Sequence, residues 1–426
     1  LEITRIVKIG REKFGDKKAS EIKEVDKEAY QEYLKLNIEF LATIAEKKYE
    51  IKENEGTLIN LKRIQEDFDA IKKFAQKDSL TETVLANLEP PTLTLIMQVN
   101  NVQNILKQDM SETGLKEYYN QLMNHTKEIK KAIKGYDLDL NVRESLGDDL
   151  YNITDVFYGN NNVIGNKDLE KHGTHVAGIV AALRNNNLGA VGVANNVKLM
   201  TVRVVPGGDE HDKDVALGIR YAVDNGAKII NTSFGKRFSP NKEWVYEALK
   251  YAESNDVLIV NAAGNDGKDM DVRKSYPTDS DDLVTELTSN VITIGASSLY
   301  YNEKLPADFS NYGKLNVDVF APGVDIYATT PKDTYEPLSG TSMAAPSTTG
   351  VAALIRSYYP ALSAKEVKYV LMTSGVKINF KVIKPGSQSQ ESPEGQMVLF
   401  ADLSVSGRIV NAYNALKLAD FLSNNK

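Results

Sequence analysis

From about Val197 to the C-terminus, strand-like and helix-like patterns alternate, and this alternation limits the fold more than any other feature of the chain. Val197–Val205 reads as a strand, Asp214–Asn225 as a helix, Ala227–Thr232 as a strand and Asn241–Ser254 as a helix. Strands follow at Val257–Ala263, Asn290–Ala296 and Val317–Phe320, then helices from Ala344 and Ala364. A strand at Val398–Leu403 and a helix at Arg408–Leu422 close the chain after an exposed Pro/Gly/Ser/Gln loop, Lys384–Gln396. Apolar runs such as Val257–Val260 suit strands buried on both faces, as crossover helices require. The expected fold is therefore α/β, a parallel sheet with helices on both faces.

The first third of the chain is different. Tyr30, Tyr33, Leu34, Ile38, Leu41 and Ala45 fall on one helical face, and Leu115, Tyr118, Tyr119, Leu122, Ile129 and Ile133 repeat that spacing. Further helices are expected over Leu58–Gln76 and Leu93–Lys107, the latter opened by Thr92 as a cap after Pro90-Pro91. Antiparallel helices joined by polar loops satisfy this pattern. The division expected is a helical region, 1–143, and an α/β domain, 144–426. The charged helix faces are read as solvated surface.

With 426 residues, 26% charged and 42% hydrophobic, the chain has the composition of an ordinary globular protein. A net charge of −7 leaves no basic excess for phosphates, which argues against a nucleic-acid partner. The absence of cysteine excludes disulfides and zinc–thiolate sites. No apolar run is long enough for a membrane span, and the charged first thirty residues do not form a signal peptide. Leu1, in place of an initiator Met, is read as an end made by processing or the start of a partial chain.

Three stretches carry chemistry. Gly340-Thr341-Ser342-Met343-Ala344-Ala345-Pro346 puts a serine among small residues at a helix start, where free N–H groups and the helix dipole favour negative charge. His172-Gly173-Thr174-His175-Val176-Ala177-Gly178 opens another helix, and Ala262-Ala263-Gly264-Asn265 ends a buried strand. A hydroxyl, an imidazole and an amide donor are what acyl transfer needs as nucleophile, base and oxyanion support. On their own, Thr341 or Ser342 also suits a helix cap and Asn265 a turn.

In all three motifs and their order, the sequence resembles the subtilisin-like serine peptidases (subtilases, peptidase S8 family), over roughly Asp155–Leu422. The resemblance implies a subtilisin-like sheet, Ser342 as nucleophile, His172 as general base, His175 as a structural histidine and Asn265 as the oxyanion-hole side chain. It also implies that Ser233, Phe234, Gly235, Ala263 and Gly264 bind the substrate, a protein or peptide. His125 and His211 are assigned to the surface. No cofactor is required. Calcium is the one ion the family often carries, with Gly207–Asp214 and Asp279–Asp282 as the acidic stretches to consider; neither matches an EF-hand loop.

One part is missing. A subtilase bears its triad aspartate at the end of an apolar strand upstream of the histidine, and no such stretch precedes Lys171. Asp137, Asp139, Asp148, Asp149, Asp155 and Asp168 all lack a preceding buried strand. In one reading the chain is the larger part of an active endopeptidase, and an N-terminal fragment of the same precursor supplies a central strand ending in the acid. In the other it is a pseudoprotease, a peptide-binding or scaffolding module. The family and the absence of cysteine imply an exported protein, secreted or at a bacterial cell surface. The helical region is expected to act as a propeptide-like, adaptor or architectural element.

Overall fold

A computed structural model describes residues 2–425 except 16, 25–26, 108–110, 136–142, 144–145, 168–169, 207–209 and 390–391. The chain forms two compact units, residues 3–142 and 143–426.

The first unit is helical: α1 (Glu2–Phe14), α2 (Lys27–Ala75), α3 (Glu82–Ala86), α4 (Leu93–Leu106) and α5 (Glu112–Gly135). The sequence suggests two separate helices, one carrying Tyr30 to Ala45 and one over Leu58–Gln76, yet α2 runs unbroken for 49 residues. The segment Glu50–Thr57 contains no proline, and one mid-helix glycine costs only about 1 kcal/mol. Leu61, Phe68 and Ile71 of α2 bury against Leu85, Val99, Val102 and Leu115 from the three later helices. The Thr92 hydroxyl accepts the Leu95 N–H at 3.3 Å and caps α4 as expected.

The second unit contains α6 (Lys171–Ala181), α7 (Asp212–Asp224), β1 (Ile229–Thr232), α8 (Lys242–Ser254), β2 (Leu258–Ala262), β3 (Val291–Ser297) and β4 (Val319–Pro322). After these come the hairpin β5 (Ile326–Thr330) and β6 (Thr334–Leu338), then α9 (Thr341–Tyr358) and α10 (Ala364–Ser374). Short strands β7 (Val376–Lys377), β8 (Lys381–Ile383), β9 (Met397–Leu399) and β10 (Arg408–Ile409) precede α11 (Ala412–Asn424). The main sheet has the order β1-β2-β3-β4-β10-β7, parallel from β1 through β10 and antiparallel only at β7.

Side-chain alternation explains why the sheet is covered twice. Leu258, Val260 and Ala262 join Ile292, Ile294 and Val319 beneath Ala344, Val351, Ala352 and Ile355 of α9, with α10 and α11 alongside. Val257, Ile259 and Val291 turn to the opposite face, where α7 and α8 bury Val215, Ile219, Val245 and Leu249. The predicted α/β architecture is present.

One expected strand is not. Val197–Val205 has the right residues but pairs with no strand; Val202 and Val204 instead pack beside Gly218 of α7. A strand is stable only with a hydrogen-bonding neighbour. Among the described residues none adds to the outer side of β1, which is the terminal strand of the sheet.

Candidate active site

The start of α9 and the end of β2 meet, joined by hydrogen bonds between Thr341 and Asn265. α9 starts at Thr341, with Gly340 as its N-cap, so Ser342 lies in the first helical turn. The chain leaves β2 through Gly264 (φ +102°), where a Cβ would come within 2.5 Å of the Asn311 amide. Glycine is the residue that allows this turn. α6 starts at Lys171, which puts His172 in its first turn, and α6 packs against both α9 and β5.

Asn265 is held in one orientation by Thr341. Its Oδ1 accepts the Thr341 N–H at 2.8 Å and the Thr341 hydroxyl at 2.9 Å, and that hydroxyl accepts the Gly264 N–H at 3.0 Å. With the carbonyl end occupied, the amide Nδ2 is the end left to donate. It lies beside Gly340, 3.4 Å from where a Cβ would project.

Ser342 and Ser233 are locked together. Ser342 Oγ donates to the Ser233 carbonyl at 3.1 Å, and Ser233 Oγ donates to the Ser342 carbonyl at 2.9 Å. Asn231 continues the network, donating to Ser233 Oγ at 2.8 Å and accepting from Thr349 of α9 at 2.9 Å. The nucleophile candidate therefore donates to a backbone carbonyl, whereas the family pattern implies an imidazole as its acceptor.

The two histidines of α6 have different surroundings. His175 is fully buried, and its Nε2–H donates to the Glu336 carbonyl of β6 at 3.0 Å. This ties α6 to the hairpin, as does the Thr329 hydroxyl donating to the Thr174 carbonyl at 3.0 Å. The His172 pKa is lowered by burial and further by repulsion from His175, with no described carboxylate acting on it. The shift favours the neutral imidazole, the form that can accept a proton.

The acids considered for the triad are engaged elsewhere or undescribed. Asp148 pairs with Arg143 and the buried Lys213; Asp149 accepts the Tyr151 N–H; Asp155 accepts the Asp149 N–H and pairs with Lys213. Asp137, Asp139 and Asp168 lie outside the described residues.

The acidic stretches considered for calcium are also occupied. Asp281 binds Lys242 at 2.6 Å and Lys274 at 3.1 Å, and Asp282 accepts the N–H groups of Val284 and Thr285. Asp212 holds Lys236 and Asp214 holds Arg143, whereas Gly207, Gly208 and Asp209 lie outside the described residues. Among the described residues, no three His, Asp or Glu side chains are grouped to hold a metal ion.

An open cleft of about 240 Å³ ends at Thr341 and Ser342. Phe234, Gly235, Lys236 and Arg237 line it together with Ala262, Gly264, Asn265, Asp266 and Ser275. Of the residues expected to bind substrate, Phe234, Gly235 and Gly264 lie there. Ala263 does not: strand alternation turns it into the core beside Phe320, and its neighbour Ala262 faces the cleft. Ser233 sits behind the cleft, buried against Ser342. Sequence reasoning weighed Thr341 only as a helix cap and missed that it orients Asn265, because its partner lies 76 positions away. It also passed over Lys236, Arg237, Asp266 and Ser275, which follow or lie beyond the quoted motifs.

Residues 107–396 match the Subtilase family model, Peptidase_S8. Subtilisin DY from Bacillus licheniformis is 38% identical over 215 residues, which cover 50% of this chain and 73% of that protein. The cell wall-associated protease of Bacillus subtilis (strain 168) is 38% identical over 253 residues, 59% of this chain but 25% of that protein. A solved protease structure from Pseudoalteromonas arctica is similar at 31% identity with a TM-score of 0.45, covering 58% of this chain and 70% of that one.

Proposed function

The chain belongs to the subtilase family, and from that premise we propose that it is the larger part of a serine endopeptidase whose triad acid comes from a segment upstream of Leu1. The observation that carries the reading is the fixed amide of Asn265, with its carbonyl end tied to Thr341, beside a serine in the first turn of α9.

In this reading Ser342 Oγ leaves the Ser233 carbonyl and attacks the substrate carbonyl, and His172 takes its proton. The carbonyl oxygen gains the electron pair and is held by Asn265 Nδ2 and the N–H groups at the start of α9. Collapse of this intermediate expels the amine, which receives the proton from His172 and leaves an acyl-enzyme on Ser342. Water then repeats the sequence, giving up its proton to His172, releasing the acid and restoring the serine. Removing the oxyanion amide as Asn265→Ala should cost about 10²–10³ in turnover, a range established on a subtilisin and carried over by resemblance.

The acid would arrive on a strand that adds in parallel to the edge of β1 left open among the described residues and hydrogen-bonds the other imidazole nitrogen of His172, fixing its tautomer. The substrate would lie extended along the Ser233–Gly235 strand end, using backbone hydrogen bonds for affinity. Protein or peptide substrates, and export or a cell-surface position, are extended from the relatives, which are named as proteases and include a cell wall-associated one.

A second reading, the pseudoprotease, is favoured by one arrangement: Ser342 donates to Ser233, and no described carboxylate acts on His172. Fluorophosphonate labelling separates the two, since the reagent reacts only with an activated serine. The chain produced with its upstream segment should label on the peptide containing Ser342, and Ser342→Ala should abolish both label and proteolysis. A folded protein with that segment and no label is a pseudoprotease.

A further inference from the structure

In the peptidase reading, the cleft that ends at Ser342 would receive the side chain of the residue whose carbonyl is attacked, and its charges would decide which residues are cut after. Three charged side chains line it among the described residues: Lys236, Arg237 and Asp266. Lys236 is already matched. Its ammonium lies 2.7 Å from Asp212 Oδ1, with the two side chains 8% and 2% exposed, so this charge is neutralised beneath the surface.

Arg237 and Asp266 are matched differently. Arg237 Nη2 lies 2.8 Å from Asp266 Oδ1 in an ion pair that is open to solvent, 51% and 42% exposed. The two come from different strand ends, each fixed by its backbone. Lys236 exchanges both backbone hydrogen bonds with Tyr276, at 2.9 and 2.7 Å, and the Asp266 N–H is held by Asn311 Oδ1 at 3.1 Å. The floor between these strand ends is neutral: Ser275 Oγ is 3.4 Å from a Cβ at Gly235 and 3.6 Å from one at Gly264.

A carboxylate entering this cleft meets Arg237 and Asp266 together, and attraction to one is offset by repulsion from the other. An ammonium meets the reverse. Resting on the peptidase reading above, we propose that the Arg237–Asp266 pair is a charge lock that makes the enzyme cut after uncharged residues, and that removing either partner admits the charge opposite to the one that remains. An exposed pair contributes little to stability, about 0–1 kcal/mol, so the lock can be opened without unfolding the strand ends.

The test uses the chain produced with its upstream segment and four quenched peptides that differ only at the residue supplying the cleaved carbonyl: Leu, Gln, Glu or Lys. The readout is each kcat/KM relative to that of the Leu peptide. Wild type should favour Leu and Gln over both Glu and Lys. Arg237→Ala should raise the Lys ratio about three- to tenfold, the effect of a single charge in a partly screened cleft. Asp266→Asn should do the same for the Glu ratio, and both gains should shrink in 1 M salt, where the Debye length is about 3 Å. A wild type that prefers the Lys or the Glu peptide, or ratios unmoved by both substitutions, overturns the lock while leaving the peptidase reading intact. No hydrolysis of any peptide, together with no fluorophosphonate label on Ser342, overturns that reading and the lock with it.

Discussion

His172 and His175 lie three positions apart on one helix, yet their surroundings differ, and the peptidase reading gives them opposite tasks. The His175 ring is fully buried and donates to the Glu336 carbonyl, so His175→Ala removes that hydrogen bond and leaves a hole between α6 and the β5–β6 hairpin. Losing such a hydrogen bond costs about 0.5–1.5 kcal/mol before the hole is counted, and the loss should appear as a lower urea midpoint at unchanged slope. His172→Ala should abolish turnover with a smaller effect on that midpoint; the reverse pattern would exchange the two roles. The sequence alone separated these histidines only through family resemblance, because helix spacing puts both on nearly the same side. The positions of Ser342, His172 and Asn265 at element ends were legible because each sits in a recognisable motif. The phase of Ala262 against Ala263 was not, because it depends on which face of β2 turns to the cleft.

At the scale of elements, the segment between Tyr276 and β3 carries the clearest pH dependence. Lys368 of α10 donates to Glu286 at 2.9 Å and lies 3.6 Å from the buried Asp318, and Asp279 shares this cluster. One ammonium thus faces three carboxyls. Burial pushes the Asp279 carboxyl up to about 7, with Lys368 opposing and Asp318 and Glu286 adding to the rise. The ordinary value is 3.8, so from there to about pH 7 the unfolded chain gives up a proton that the folded chain keeps. Folding stability from this group is therefore greatest at low pH and declines as pH rises through that window. Asp279→Asn should flatten the decline, so that urea unfolding at pH 8 shows the variant gaining on wild type relative to pH 5. Equal pH slopes would mean that Asp279 ionises normally. Neither this cluster nor the unbroken α2 could be read from the sequence: the first joins positions 279, 318 and 368, and the second follows from the absence of a helix-stopping residue around Gly56.

At the scale of the whole molecule, the sheet stops where parallel sheets normally continue. Parallel strands are usually buried on both faces and flanked on both sides, yet β1 is terminal among the described residues and three of its four residues are only partly buried. Large apolar side chains of the same unit, Phe157, Leu199 and Met200 among them, are exposed. Val197–Val205 has the residues of a strand without a partner, so the expectation that failed there points to the same deficit. An open edge of this kind invites pairing with another chain. The chain from Leu1 to Lys426 alone should therefore exchange its β1 amides quickly, while those of β2, paired on both sides, stay protected. It should also associate as its concentration rises. If the proposed upstream segment supplies the missing strand, the protein produced with it should protect β1 and lose that tendency. His172 gives a second readout: by NMR its imidazole should titrate below 6.5 in the chain alone, where burial and His175 depress it. A carboxylate brought against the ring favours the charged form, so the same resonance should titrate at higher pH in the completed protein. Protection of β1 equal to that of β2 in the chain alone would show that the edge is already closed, and a His172 titration indifferent to the upstream segment would leave the acid unaccounted for.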